Sequence, residues 1–369
     1  MARKGENIYK RKDGRWEGRY KKGRKKNGQL KYGYIYGQTY ADVKYRLYTY
    51  KLHYHALIQQ QGESGFSYEE WTLIWLSQQQ STVKVSTYTT YLYKLKKYIL
   101  PSIGNCPLNQ LTHETVQNLV NSWLQYGLKA STIHVLYQLV KKTLKDATEQ
   151  SYLKQTPCTK IRLPKKRQVR VRAMTKKEQH VLESCAKGLP LYKGLSILLA
   201  LNTGLRIGEI AALRWTDIDL KQRMIHITQT FQRVSLEGGK KKTQLLMDSS
   251  KTESSNRVIP ISTTLYKYLK KWKKKAPGSY VCSNSELPSE PRLLTYYFHK
   301  IRKQCGFEHL HFHQLRHTFA TRCIETSSDI VSLSRLLGHT STKTTLDIYA
   351  DSMVESRIKV ITNMSKALQ

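Results

Sequence analysis

Acidic residues are scarce in this 369-residue chain: 26 Asp and Glu stand against 63 Lys and Arg, a formal net charge of +37. A surface of that kind releases counterions on meeting a polyanion, so it favours phosphate-rich partners with strong salt dependence. Solubility alone needs only about 2–8 charges on a small domain. Nucleic acid is therefore the expected partner, ahead of an anionic membrane surface or an acidic protein. Long apolar runs are missing too. The run at 195–201 falls far short of the about 18 residues of a membrane span, and the basic stretch 1–12 lacks the apolar core of a signal peptide. Cys106, Cys158, Cys185, Cys282, Cys305 and Cys323 form no Cys-x-x-Cys pair, which excludes the common zinc modules; without a secretion signal, reduced thiols are the default. No Gly-rich phosphate loop, His-Glu-x-x-His, Asp-x-Asp-x-Asp or Gly-x-Ser-x-Gly string occurs, which argues against P-loop ATP use, metal-assisted hydrolysis and a serine elbow. With 39% hydrophobic residues the chain can build real cores, and its length suggests two or three domains. A soluble intracellular protein is expected.

Residues 1–60 hold 16 Lys and Arg, 10 Tyr and 7 Gly against 4 Asp and Glu, so this segment is both basic and tyrosine-rich. Residues 8–11 can begin a strand, Asp13-Gly14 is a hairpin signal, and 15–20 reads as a second strand. Asn27-Gly28 marks another turn. Tyr32, Tyr34 and Tyr36 then alternate with Lys31, Gly33 and Ile35 at the period of a strand, and Thr39 with Asp42 caps a helix to about Gln60. A small three-stranded sheet plus one helix is predicted, of a kind that can lie in the DNA major groove, with Arg15, Arg19, Lys21, Lys22 and Arg24 as its cations. The alternative is a solvated basic face beside a tyrosine-rich core.

After a short linker at 61–64, residues 65–157 read as a bundle of four or five short helices. Ser67 and Glu70 form a capping box. Thr87 to Ile99 form a helix with Tyr91, Leu95 and Tyr98 on one face, which Pro101 is predicted to stop. Thr112 caps another helix, and Leu136, Leu139, Val140, Thr143 and Leu144 keep helical spacing. Seven of the thirteen residues 160–172 are basic and none is acidic. Residues 158–172 therefore read as a linker able to lie along a phosphate backbone through Lys165, Lys166, Arg167 and Arg170, or as an incidental exposed loop. Residues 173–369 are the largest unit, mostly helical, with strands at 224–228, before Lys251 and at 257–261. The fold class is mainly α with small β-sheets, an α+β chain.

The chemistry concentrates in that last unit. Arg206 lies in Asn-Thr-Gly-Leu-Arg-Ile-Gly-Glu-Ile, where the chain turns into a helix. Lys251 lies in Ser-Ser-Lys-Thr-Glu-Ser-Ser-Asn-Arg-Val-Ile-Pro, read as a β-hairpin, with Lys240 to Lys242 as alternatives. His313 and Arg316, in His-Gln-Leu-Arg-His-Thr-Phe-Ala-Thr, share one helix face. His339 follows Leu-Leu-Gly before another helix, and Tyr349 ends Thr-Leu-Asp-Ile-Tyr. Two guanidiniums can hold both non-bridging oxygens of a phosphodiester and neutralise transition-state charge. A tyrosine of pKa ~10 is protonated at neutral pH and needs cations and a proton acceptor to attack.

These strings, from Thr-Gly-Leu-Arg-Ile-Gly-Glu to Leu-Leu-Gly-His and the terminal Tyr-Ala-Asp, resemble the tyrosine recombinases, and more narrowly the integrases of temperate phages and conjugative transposons. The resemblance covers nearly the whole chain and implies an arm-type DNA-binding domain (1–60), a helical, SAM-like core-binding domain (65–157), the basic linker (158–172) and a catalytic domain (173–369), closing as a C-shaped clamp on DNA. It implies that Arg206 and Arg316 hold the scissile phosphate, that Lys251 protonates the leaving 5′-oxygen, that His313 and His339 assist, and that Tyr349 attacks to give a 3′-phosphotyrosyl intermediate. Rejoining then needs neither metal nor any other cofactor. Gln314 departs from the family, where many members have Asp. Tyr296 and Tyr297 are rival nucleophiles, His311 reads as surface, His317 as supporting, and Glu209 as orienting a neighbour. The resemblance further implies a homotetramer on double-stranded attachment-site DNA, an excisionase and a DNA-bending host protein as partners, no membrane, and a bacterial cytoplasmic, nucleoid-associated setting. A type IB topoisomerase and a catalytically inactive DNA-binding regulator are the competing readings.

Overall fold

The computed structural model describes residues 7–24, 30–61, 66–166, 172–235, 243–249, 256–326, 329–339, 341–342, 345–346, 361 and 364–365; the side chains of 22–24, 31, 54–61 and 249 are outside that description. The chain divides into two compact units, residues 1–168 and 169–369. Among the described residues no helix is long and apolar enough to cross a membrane.

The first unit opens with an antiparallel sheet in the order β1-β2-β3: β1 (Ile8–Lys10), β2 (Trp16–Arg24) and β3 (Leu30–Gly37). Gly14, with φ +84°, closes the first hairpin as its Asp-Gly signal predicts; Asn27-Gly28 lies outside the described residues. Strand alternation splits the sheet into two faces. Ile8 and Ile35 are buried against Val43 and Leu47 of α1 (Tyr40–Gln61), with Trp16, Tyr20 and Tyr40 packed around them. A Cβ on Gly18 would meet Val43 at 2.8 Å, so the helix lies flush on β2. The opposite face pairs Glu17 with Tyr36, Arg19 with Tyr34 and Lys21 with Tyr32.

A second core in the same unit is built by α2 (Tyr68–Gln79), α3 (Val85–Lys94), α4 (Leu100–Ile103), α5 (His113–Gln125) and α6 (Ala130–Glu149). The Ser67–Glu70 capping box forms as its spacing predicts. Buried Trp71 and Trp75 tie α2 to α6: their indole N–H groups donate to the Thr143 carbonyl at 2.9 Å and the Asp146 carboxylate at 2.5 Å. Pro101 does not stop the preceding helix. The chain passes through a π turn at Leu95–Ile99 and continues into α4, with Pro101 in the first turn of that segment. The Leu100 N–H bonds the Leu95 carbonyl, five residues back, so the helix reaches Pro101 with the wider π spacing, which accommodates a residue that has no N–H. Beyond α6 the chain stays tied to the bundle. Cys158 is buried, the Arg162 backbone exchanges hydrogen bonds with the Gln117 side chain, and the His134 ring is 2.9 Å from the Pro164 carbonyl.

In the second unit α8 (Leu191–Thr203) is buried on every side from Gly194 to Leu201, a stretch whose one polar side chain is Ser196. Around it stand α7 (Lys176–Lys187), α9 (Ile207–Ala212), α10 (Thr263–Lys273), α11 (Pro291–Gln304) and α12 (His313–Glu325). A small sheet in the order β4-β5-β8 joins β4 (Ile218–Asp219), β5 (Met224–Ile227) and β8 (Arg257–Pro260); β6 (Gln229–Ser235) and β7 (Thr243–Ser249) form a separate hairpin. Lys251 follows the described part of β7 and lies outside the described residues, while the strand after it pairs with β5. Helix α13 (Ile330–Leu337) packs on α12.

The α7–α8 contact is so tight that a Cβ on Gly194 would overlap the Ala186 backbone, with the carbonyl carbon at 2.9 Å. Gly194→Ala is expected to destabilise by about 1–3 kcal/mol, because backbone cannot swing aside. Gly188→Ala, at φ −72° with its nearest contact at 3.6 Å, should be neutral or slightly stabilising. Urea titration of both variants checks the contrast; equal losses would contradict this account of the contact.

Candidate active site and nucleic-acid interface

Two helix ends build the centre of the site. Helix α8 ends at Gly204 (φ +66°) and α13 at Gly338 (φ +63°), both left-handed caps that glycine adopts without strain. Their last carbonyls face a cation. The Arg316 guanidinium, 3% exposed on the first turn of α12, donates to the Gly204 carbonyl at 2.7 Å and to the Leu337 carbonyl. The negative ends of two helix dipoles thus hold one buried charge. A Cβ on Gly204 would strike the Phe319 ring at 2.6 Å, so the close approach of α8 to α12 also requires glycine.

Arg206 stands at the N-terminus of α9. Its backbone N–H and its guanidinium both donate to Glu209, each at 2.8 Å, and the guanidinium reaches the Gly338 carbonyl at 3.3 Å. Arg206 and Arg316 therefore bond the carbonyls of consecutive residues, Gly338 and Leu337. His339 comes next in the chain; its Nδ1 lies 2.9 Å from the hydroxyl of buried Thr345. His313 sits one helical turn before Arg316, and its ring meets His317 edge-on at 4.8 Å between centroids.

These neighbours set the proton affinities. Burial, then the Arg316, Arg206 and Arg257 charges and His313, pull His339 down to about 4. His317 is likewise pulled down to about 4, by burial, His313 and Arg316. Solvent reaches the His313 ring, yet the protein packed round it and the Arg316 and Arg206 charges still lower its pKa. Burial pushes the Glu209 carboxyl up, but hydrogen bonding and charge from Arg257, then the Arg206 N–H and charge, outweigh it and hold the group below its ordinary value. At neutral pH the site thus carries neutral imidazoles among fixed cations, a setting made for an anion.

Stability follows from these shifts. Between the ordinary histidine value and about 4, an unfolded chain takes up protons that the native site refuses, so native stability is full above pH 6.5 and declines as pH falls toward 4. Thermal melts from pH 7 to pH 4.5 should show Tm falling, and His317→Gln should flatten the slope. A bound phosphodiester restores charge balance and should flatten it further. A slope unchanged by both would rule out the histidines as its source.

Of the sequence-predicted catalytic residues, the structure brings Arg206, His313, Arg316 and His339 together, while Lys251 and Tyr349 lie outside the described residues. Sequence reading passed over Arg257, whose guanidinium is 5% exposed and grips both Glu209 oxygens, at 2.8 and 3.2 Å. The available signal was strand phase: Arg257 shares the inward face of β8 with buried Ile259, while Val258 points out. An inward arginine needs a buried partner.

The predicted DNA-facing cations whose side chains are described fall in two places of the first unit. Arg19 lies 3.4 Å over the Tyr32 ring, Arg11 and Arg15 cluster within 5.9 Å of the Tyr36 ring, and Lys21 is exposed at the edge of that tyrosine face. Arg15 is also held by Asp13 at 2.9 Å. The Lys22 and Arg24 side chains lie outside the described residues, as do Arg167 and Arg170. Exposed Lys165 and Lys166 follow the anchored stretch. Lys166 borders a groove of about 560 Å³ with Lys94, Lys141, Lys142, Lys145 and Tyr91.

A helical unit with a two-arginine, multi-histidine centre and a separate basic helical module defines the tyrosine recombinase class. The comparisons agree. The phage integrase family model matches residues 171–355, and that of the phage integrase N-terminal SAM-like domain matches 67–124. A tyrosine recombinase XerC-like protein of Caldanaerobacter subterraneus subsp. tengcongensis is 27% identical over 309 residues, covering 76% of this chain and 78% of its own length. Among solved structures, the Tn1549 transposon integrase in complex with a circular intermediate DNA has a TM-score of 0.70 at 19% identity, over 81% of this chain and 99% of that one. A lambda integrase tetramer bound to a Holliday junction has a TM-score of 0.59 at 19% identity, over 91% of this chain and 96% of that one. The chain belongs to the phage integrase family and is a tyrosine-type site-specific recombinase.

Proposed function

We propose that this recombinase integrates and excises a mobile element by cleaving and rejoining DNA at paired attachment sites. The observation that carries the reading is the pair of guanidiniums, Arg206 and Arg316, anchored on adjacent carbonyls beside His313 and His339. In this reading Arg316 and Arg206 hold the two non-bridging oxygens of the scissile phosphate and meet the charge that builds up in the transition state. The Tyr349 phenol attacks phosphorus. Its proton passes to a neutral histidine, which low proton affinity keeps unprotonated until the phosphate enters. Lys251 protonates the departing 5′-oxygen. The 3′-phosphotyrosyl bond conserves the ester, so a second 5′-hydroxyl can displace the tyrosine with no outside energy source.

In the same reading residues 1–60 bind arm-type sites through the tyrosine-lined sheet face, with Arg15, Arg19, Lys21, Lys22 and Arg24 on backbone phosphates. Residues 65–157 and the stretch 158–172, through Lys165, Lys166, Arg167 and Arg170, follow the core site. Residues 173–369 carry the chemistry. Four copies exchange strands on the DNA in the bacterial cytoplasm, with an excisionase and a DNA-bending host protein setting direction. The test is covalent capture: the protein is incubated with nicked duplexes spanning the ends of its own element and resolved on a denaturing gel. A slow protein–DNA band whose digest carries nucleotide on tyrosine supports the reading. Binding without any adduct would favour an inactive regulator, and relaxation of plasmids lacking the sites would favour a topoisomerase.

A further inference from the structure

Arg257 is a poor choice for a structural residue at its position. It occupies an inward site on β8 that its neighbour Ile259 shows to be apolar, and a hydrophobic side chain there would avoid stripping water from a charge. What it touches is the active site. Two of its nitrogens hold Glu209, and its Nε donates to the Leu336 carbonyl at 2.7 Å. Glu209 is the carboxylate that Arg206 also grips, and Leu336 precedes the Leu337 and Gly338 carbonyls that receive Arg316 and Arg206. Gly338 passes so close that a Cβ there would lie 3.1 Å from the Arg257 guanidinium.

We propose that Arg257 is a positioning residue for strand cleavage, neutralising Glu209 so that the charge of Arg206 stays available to the scissile phosphate. The charge count gives the reason. Glu209 and Arg206 alone form a neutral pair, and a neutral pair attracts a phosphodiester weakly. With Arg257 on the far side of the carboxylate, the triad carries one net positive charge, and its more exposed guanidinium is that of Arg206, 39% exposed against 5% for Arg257. Glu209 can then orient Arg206 without cancelling it. The bond to Leu336 also locks the last turn of α13, and with it the start of the His339 loop.

The proposal rests on Arg206 as a phosphate ligand, so the experiment separates the two ideas. Single-turnover cleavage of a nicked duplex is measured with the full-length protein and with Arg257→Met, Arg257→Lys, Glu209→Gln and the Arg257→Met/Glu209→Gln double variant; half-site affinity and Tm are followed in parallel. Arg257→Met should cleave about 10- to 100-fold more slowly, the range seen when an outer partner of a catalytic group is lost, with affinity within a few-fold. Arg257→Lys should recover most of the rate. The double variant should cleave faster than Arg257→Met alone, because removing the carboxylate charge releases Arg206; a packing role gives no such rescue. Unchanged cleavage by Arg257→Met, or a double variant no faster than the single, overturns the proposal. Should Arg257→Met fail to fold, Arg257→Lys decides, and a rate more than about tenfold below wild type counts against neutralisation as the role. Wild-type protein forming no adduct removes the phosphate reading itself, and the proposal with it.

Discussion

Tyr349→Phe is expected to lower covalent adduct formation at least about a thousandfold, to the background of the gel, because in the proposed mechanism it removes the attacking oxygen and nothing else. Removing a nucleophile outright is among the largest effects one substitution can have on a reaction. The substitution removes one hydroxyl and no phosphate-binding cation, so DNA affinity should stay within a few-fold, and the variant should accumulate as a non-covalent complex on intact sites. The two rival tyrosines make the control. Tyr296 is 60% exposed on α11, and Tyr297 packs against Tyr192 with ring centroids 6.1 Å apart, beside Lys193. Neither is among the groups that surround Arg316 and His339, so Tyr296→Phe and Tyr297→Phe should leave adduct formation within about twofold, as for surface changes away from a site. An adduct that persists in Tyr349→Phe would move the nucleophile elsewhere.

Local signals were legible in the sequence to the extent that the feature they report is local. The tyrosine alternation at 32–36 set the strand and its two faces, because side-chain direction in a strand depends only on residue parity. The caps at Ser67 and Thr112 located two helix starts, because each closes within four residues. Pro101 misled for the complementary reason. Its effect depends on which N–H the helix can spare, and the π turn ahead of it changed that. In the proposed site, Arg206, His313, Arg316 and His339 were singled out by their strings. The strings do not say that Arg316 lies between the ends of α8 and α13, or that Arg206 and Arg257 share one carboxylate. Those facts depend on β8 returning to β5 rather than to the hairpin, and on α13 folding back over α12, both long-range choices. Arg257 went unread because an arginine in a short strand looks exposed until the strand's inner face is known.

In the proposed mechanism Arg316→Lys is expected to lower cleavage by about 10²–10³-fold, the cost of losing one preorganised transition-state donor, although the substitution keeps the charge. The reason lies in the number of directions the side chain must serve. A guanidinium offers five N–H groups in a fixed plane, enough to bond two carbonyls and still address a phosphate. In this site Nη1 and Nη2 reach Gly204 and Leu337, which hold the plane at the junction of α8, α12 and α13. A lysine ammonium is shorter, has three donors around one point and cannot span both carbonyls. It would leave at least one of these carbonyls unbonded, at about 1–3 kcal/mol of stability, and its charge would sit where the carbonyls draw it rather than where the phosphate enters. The measurement is a single-turnover rate beside a half-site binding curve and a melt. Cleavage should collapse while affinity, spread over many phosphate contacts, changes little. If rate and affinity fell together in proportion, Arg316 would be an anchoring contact only, and the helix ends around it would owe their geometry to binding rather than to the transition state.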